Sequence, residues 1–309
     1  MANALTRLLP GKRARRADIG GSRLNSKLGG STTRWLESTL EVARWERVRA
    51  AGRRWAIWGG VLGGVVGVVA FAPAAWLADG LAGASNGRIV LADAQGTIWS
   101  GDAVAVLTAG PGSRDARALP GRLAWTLKPS GLGLRLGFTQ ACCLNGEAVL
   151  LIKPGLGRVS TSVQGGSDWL GRWPAAWLSG LGTPWNTLDL GGAMRLATSD
   201  LNIDWVQGSW HVTGSAELVL QDVSSRVTTL DRLGSYRLSL RGSTPEAPAI
   251  LSLQTDDGAL QLQGSGTWGQ SGIKFTGEAT AAEAQRSALD NLLNIIGRRH
   301  GDRSIITIG

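Results

Sequence analysis

RLAWTLKPSGLGLRLGFTQ, residues 122–140, decides the fold class. Leu123, Trp125 and Leu127 alternate with other residue types, and Leu132, Leu134, Leu136 and Phe138 do the same with Arg135 on the other side. Period two sends every second side chain to one face, so each strand buries one face only, as in an antiparallel sheet. The same signal recurs further along. Asn145-Gly146 reads as a type I′ hairpin turn into Ala148, Leu150 and Ile152, and Leu251 and Leu253 run through Asp256-Asp257-Gly258 into Leu260 and Leu262. Glycine supplies 45 of 309 residues without a three-residue period, which suits bulges and sheet corners. The expectation is a mainly β domain built on a curved antiparallel sheet.

Two stretches break the alternation. In residues 167–181, Leu170, Trp173, Trp177, Leu178 and Leu181 follow helical spacing, with Pro174 starting or kinking the helix. In residues 280–297, Leu289, Leu292, Leu293 and Ile296 form an i, i+3, i+4, i+7 stripe. Gly297 is expected to cap that helix, with Arg298 and Arg299 beside its carboxyl end. Both helices are expected to pack on the sheet. A weak internal repeat also shows: Pro73-Ala74-Ala75-Trp76-Leu77 recurs as Pro174-Ala175-Ala176-Trp177-Leu178. Gly121-x-Leu123-x-Trp125-x-Leu127 lines up with Gly234-x-Tyr236-x-Leu238-x-Leu240, suggesting tandem units over 78–166 and 167–309.

Upstream, residues 55–77 run for 23 positions without a charge, long enough for a single transmembrane helix with Trp55, Trp58 and Trp76 at the interfaces. Arg44, Arg47, Arg49, Arg53 and Arg54 precede it, which places residues 1–54 in the cytoplasm and 78–309 in the periplasm. Ala70-Phe71-Ala72 resembles a signal-peptidase site, but a 54-residue leader before an apolar core is far too long. Gly59, Gly63 and Gly67, four residues apart, are candidate packing positions for a second membrane helix. In the tail, 1–31 reads as disordered and 32–54 as a basic amphipathic helix, either lying on anionic lipid or extending the transmembrane helix into the cytoplasm.

Charge excludes nucleic acid as a partner of the body. Residues 1–54 hold 13 Lys and Arg against 4 acids, and the remainder carries 19 of each sign. No basic groove for a phosphate backbone is left. Catalytic and metal motifs are also missing. His211 and His300, the only two histidines, lack partners at fixed spacing, so no catalytic, cofactor or metal residues are assigned. Gly264, Gly266 and Gly269 spell G-x-G-x-x-G but lie between β-patterned stretches and open no helix. Asp200 with Asp204, and Asp256 with Asp257, read as solvated pairs. Cys142-Cys143 in a strand would put one thiol in the core and one in water; a vicinal or intermolecular disulfide is the other reading.

A set of short motifs adds a family likeness over roughly residues 60–300. Gly87-Arg88-Ile89-Val90-Leu91 follows the apolar run, then Gly96-Thr97-Ile98-Trp99-Ser100-Gly101 and Leu123-x-Trp125-x-Leu127. Leu181-Gly182-Thr183-Pro184-Trp185-Asn186-Thr187-Leu188 comes later, with Leu260-x-Leu262-x-Gly264-x-Gly266-x-Trp268 closing. In this order they resemble the type II secretion system protein N family. The resemblance implies a non-enzymatic inner-membrane component of the machine that exports folded proteins from the periplasm across the outer membrane. It implies partners among other inner-membrane components of that machine, with the secretin or the exported proteins beyond them. Gly96, Trp99, Gly101, Trp125, Gly182, Pro184, Asn186, Gly264 and Gly266 are its structural positions, and Trp99 is expected to be a packing anchor. Two other classes compete. A periplasmic lipid-binding or lipid-transfer module, as in proteins resembling the AsmA family, would leave an apolar sheet groove uncovered. An envelope hydrolase would need a convergent polar pocket.

Overall fold

Residues 122–140 fold as the hairpin that their alternation predicts, with Trp125 opposite Phe138 and Leu127 opposite Leu136. Leu132 is the exception: it sits at the hairpin tip, outside both strands, 97% exposed. The computed structural model describes residues 52–165, 168–242, 244, 247–269 and 272–309. The proposed disordered segment 1–31, and all but the last residues of the proposed helix 32–54, lie outside the described residues.

Among the described residues sixteen strands form one antiparallel sheet. The first half holds β1 (Ile89–Gly96), β2 (Ser100–Thr108), β3 (Ala116–Ala118), β4 (Leu123–Ser130), β5 (Gly133–Thr139), β6 (Ala148–Gly155), β7 (Arg158–Gln164) and β8 (Gly171–Pro174). The second holds β9 (Leu190–Val206), β10 (Ser209–Ser225), β11 (Gly234–Gly242), β12 (Ala249–Gly258), β13 (Leu260–Gly269), β14 (Gly272–Ala281), β15 (Arg298–His300) and β16 (Arg303–Ile308). Spatial order follows chain order from β1 to β14, except that β3 pairs only with β2 and β8 only with β9; β16 and then β15 close the far edge. Strand β7 pairs directly with β9, so the two halves share one ladder. Register shifts in β1, β9 and β10 mark bulges.

The apolar run departs from the single helix expected over 55–77. Residues 52–70 are helical (α1), residues 71–73 are not, and α2 (Ala74–Ala84) starts afresh. Pro73 is the cause: it lacks an amide hydrogen and biases Ala72 away from helix. The uncharged helical part of α1 therefore rises only ~24 Å, short of the ~30 Å hydrocarbon layer. Among the described residues no helix is long and apolar enough to cross a membrane.

Both expected packing helices exist in altered form. Residues 171–174 join the sheet as β8, and only Ala175–Leu181 coil, as a 3₁₀ helix, because Trp173 and Pro174 pair with Met194 and Ala193. A short α3 (Trp185–Leu188) follows, and α4 (Arg286–Ile296) carries the leucine stripe. Leu289, Leu292 and Leu293 are at most 1% exposed. Gly297 ends α4 in extended backbone, not as a left-handed cap; a side chain there would strike the Ile305 carbonyl of β16. The Asn145-Gly146 turn is also not a two-residue hairpin. Residues 140–147 form a longer connection, in which Asn145 is held by the carbonyls of Trp169 and Leu170. Cys142 and Cys143 lie in that connection and form a vicinal disulfide. The first reading, two free thiols, assumed a strand that is not there, although Cys143 is buried and Cys142 exposed.

Cover for the sheet gathers into cores. One holds Ala74 of α2 with Leu91, Ala103 and Trp125. A second holds Leu190, Met194, Tyr236, Leu260 and Ala279 beneath α4. Trp173 and Trp177 pack against both, joining the halves. The repeated Pro-Ala-Ala-Trp-Leu segments do the same local work. Pro73 and Pro174 are extended N-caps, and the alanines that follow, Ala74 and Ala175, are buried.

Leu292→Ala is expected to cost ~2–5 kcal/mol in denaturant unfolding, whereas Leu132→Ala stays within ~0.5 kcal/mol. Tyr236, the single tyrosine, is buried and donates to the Leu260 carbonyl at 3.1 Å; burial raises its phenol above the ordinary value. The unfolded chain therefore ionises first. The stabilisation is full below about pH 10, the unfolded phenol's range, and is lost as pH rises beyond it. Phenolate absorbance should stay absent near pH 11 in the folded chain, and Tyr236→Phe should flatten the alkaline loss of stability.

Candidate functional site

The last residues of the apolar run dock on the turn between β1 and β2. Trp99 Nε1 donates to the Val69 carbonyl at 2.8 Å, and the Ile98 amide donates to the Ala72 carbonyl at 3.0 Å. Pro73 forms an isolated antiparallel bridge to Thr97. The turn is closed from within: the Thr97 amide donates to Ser100 O at 2.9 Å, while Thr97 Oγ1 accepts from the amides of Trp99 and Ser100. Its other side is tied to β4 by the Leu127 amide, which donates to Trp99 O at 2.7 Å. Val69 and Ala72 thus lend their carbonyls, groups that a helix end leaves without intrahelical partners, to the sheet.

Glycine makes this turn possible. Gly96 has φ +86 and lies opposite Gly101, and a side chain on either would run into backbone. A Cβ on Gly101 would also stand 2.6 Å from Trp125 Cζ2. The Trp125 ring, 2% exposed, fills the place where that side chain would be. Trp99 is only half-buried, so the packing anchor of this motif is Trp125 and the ring of Trp99 is a clasp. Arg122 holds the neighbouring bulge. It donates to the Asp93 carboxylate at 2.7 Å, to the Asp93 carbonyl at 2.6 Å, and to Asp102. Its hydrogen bond and charge hold the Asp93 carboxyl below the usual carboxylate range.

The later motif forms a separate latch at the opposite end of β2. Asn186 donates through Nδ2 to Asp115 at 2.9 Å and through its amide to Gly182 O at 3.0 Å, while Gly182 faces Ala109. Pro184 caps α3 after a cis peptide bond. Trp177 Nε1 donates to Arg117 O, and Arg117 donates back to Ser179, fixing the 3₁₀ helix to β3. Gly264 and Gly266 lie on β13 in contact with Phe275, on a strand with no phosphate-binding turn. The named positions therefore form a clasp, a latch and a glycine trough, and they do not converge on one pocket. Gly59, Gly63 and Gly67 have nothing within 4 Å of a Cβ built on them.

Chemistry-bearing groups stay dispersed. Among the described residues no three His, Cys, Asp or Glu side chains stand together as metal ligands. Asp256 and Asp257 pair with Arg237 and Arg232, and His211 lies opposite Asp204 in the ladder. Two surface clefts, of about 560 and 620 Å³, are lined by Ile296, His300 and Ile306 and by Ala82, Val90 and Thr108. Sequence reasoning missed Arg122 with Asp93 and Asp102, and the joining role of Trp173. The ion pairs span 20 and 29 positions, and no spacing rule announces them.

The model of one protein family, type II secretion system (T2SS), protein N, matches residues 87–306. No curated protein and no solved structure matches the chain.

Trp125→Ala should lower stability by ~3–5 kcal/mol, through the lost ring and the cavity over Gly101. Trp99→Phe keeps a ring but loses one hydrogen bond and should cost only ~0.5–1.5 kcal/mol. Thermal or denaturant unfolding of both variants checks the order; equal losses would return Trp99 to the core.

Proposed function

Because the chain belongs to the type II secretion system protein N family, we propose that it is a non-enzymatic, single-pass component of the bacterial inner membrane. In this reading it supports export of folded proteins from the periplasm across the outer membrane. The observation that carries the proposal beyond family membership is the clasp: the end of an apolar run is bonded into the sheet at Val69, Ala72 and Pro73. From Trp55 to Ala70, α1 carries no charge, and its apolar side chains are exposed on every side, including Trp55 at 79%, Leu62 at 66% and Val66 at 59%. A helix apolar all round belongs inside a core or a bilayer. The shortfall against the hydrocarbon thickness is met by local thinning, with Arg53 and Arg54 reaching for one headgroup layer and Trp76 lying at the other. The arginine cluster sets the amino terminus in the cytoplasm, where the basic tail meets anionic lipid. Gly59, Gly63 and Gly67 leave room for a second membrane helix from another inner-membrane component. The sheet is the periplasmic body that meets those components, the secretin or the exported proteins. Residues 78–166 and 167–309 make two tandem units, each entered through an extended proline and a buried alanine.

The half-buried leucine row Leu196, Leu218, Leu238 and Leu253 favours the second reading, a lipid-binding module, since these residues are neighbours across four strands. Under that reading Leu238→Arg abolishes binding of a fluorescent fatty acid; under the secretion reading wild type shows no saturable binding.

Deleting the gene is expected to reduce export of folded proteins, and a plasmid copy should restore it. At matched protein levels His211→Ala and Asp256→Asn with Asp257→Asn should restore export fully, while Trp125→Ala restores it poorly. A periplasm-dependent reporter fused after Gly309 should be active. A silent reporter, or full dependence of export on His211, overturns the anchored, non-enzymatic reading.

A further inference from the structure

Successive connections of an antiparallel meander alternate between the two ends of the sheet. The β1–β2 turn, the tips at residues 131–132, 156–157 and 207–208, and the connections after Gly242 and Gly269 therefore share one end. That is the end where Val69, Ala72 and Pro73 are clasped. It is also where exposed apolar side chains collect. Leu132 and Leu156 are fully exposed at two tips, Trp205 and Trp210 flank a third, and Ile250 and Ile273 lie beside the last two connections, at 60% and 45% exposure. Beyond residues 52–76, only Ile89 and Trp185 among the large exposed apolar side chains belong to the opposite end. Tips of β-hairpins ordinarily carry polar turn residues, so leucine at two neighbouring tips calls for a partner.

Unpaired cations also collect at this end. Within four residues of these tips and connections the chain carries Lys128, Arg135, Lys153, Arg158, Arg241 and Lys274, against Asp93, Asp102, Asp204 and Glu246, and Asp93 and Asp102 are taken up by Arg122. Among the described residues Lys128, Lys153, Arg241 and Lys274 enter no ion pair. At the opposite end, among the described residues, some arginines are paired, as Arg232 with Asp257 and Arg299 with Asp290, and others, as Arg88 and Arg114, are not. Apolar tips with unpaired cations beside them match the anionic phospholipid surface, which takes leucine and tryptophan into its headgroup boundary and lysine among its phosphates.

We propose that this end of the sheet rests on the bilayer, with the tips at Leu132 and Leu156 inserted into the headgroup layer. The proposal rests on the membrane-anchor reading of α1, since the clasp is what delivers this end to the lipid. The sheet would then be held at two kinds of contact, one through the covalent chain and one through its tips.

The test uses the full chain in phosphatidylethanolamine–phosphatidylglycerol vesicles. Leu156→Cys and Leu132→Cys are labelled with an environment-sensitive maleimide dye, which leaves the disulfide-bonded Cys142 and Cys143 untouched. Glu283→Cys, at the opposite end, is the control. Flotation with the vesicles reads the anchor separately. The expected result is flotation of all three, with blue-shifted emission and several-fold stronger quenching by spin-labelled lipid at positions 132 and 156 than at 283. Flotation with equal, water-like emission at all three positions overturns the tip contact and leaves the anchor standing. Failure to float removes the anchor and the tip contact together.

Discussion

Packing of Trp173 and Trp177 against both large cores is the interaction that ties the two ends of the sheet's cover together. A ladder of sixteen strands satisfies its own backbone, but one face must still be shielded from water. The shielding comes in pieces: α2 over the first strands, and α4 over the last. At the seam itself the β7–β9 pairing is backed by Val163, which packs against the Leu201, Val212 and Ala249 cluster, and the two indoles join the larger cores on either side. With them, the 3₁₀ helix Ala175–Leu181 touches both cores, and its bonds to Arg117 fix it to the first half. Packing of large aromatics across a seam of this kind is what turns adjacent meanders into one cooperative unit.

Close approach by glycine recurs where aromatic rings need room. The Trp125 ring lies against Gly101, and the Phe275 ring lies over Gly264. In both places a bare backbone position on one strand receives a ring from the next, so short glycine motifs carry packing information without any catalytic content. This explains how a chain with dispersed histidines and carboxylates can still hold recognisable motifs. They describe how strands meet, and at the clasp Gly96 and Gly101 let the turn close, while Trp99 and Ile98 donate to the carbonyls of Val69 and Ala72.

Much of this was legible in the residues, for reasons that also mark the limits. Period-two alternation identified the antiparallel sheet, because burial of one face writes itself into every strand. The Leu289, Leu292 and Leu293 stripe identified α4 for the same reason. Residues 167–181 misled because tryptophans at helical spacing also fit a strand followed by a 3₁₀ turn, and pairing with β9 decided between them. Cys142-Cys143 was misjudged through an assumed strand, and the single helix expected over 55–77, which stops at residue 70, through too little weight on Pro73. Trp99 was taken for a buried anchor since its motif is tight; its indole N–H instead meets a carbonyl 30 residues away. Contacts of that range leave no local pattern.

Family membership and the clasp are the two observations on which the proposed scaffold role rests. The most direct measurement is to purify the tagged full chain from native membranes in mild detergent and identify what comes with it. The account predicts other inner-membrane components of the type II secretion machine in fixed ratio to the chain. Recovery of the chain with stoichiometric phospholipid and none of those components would contradict it.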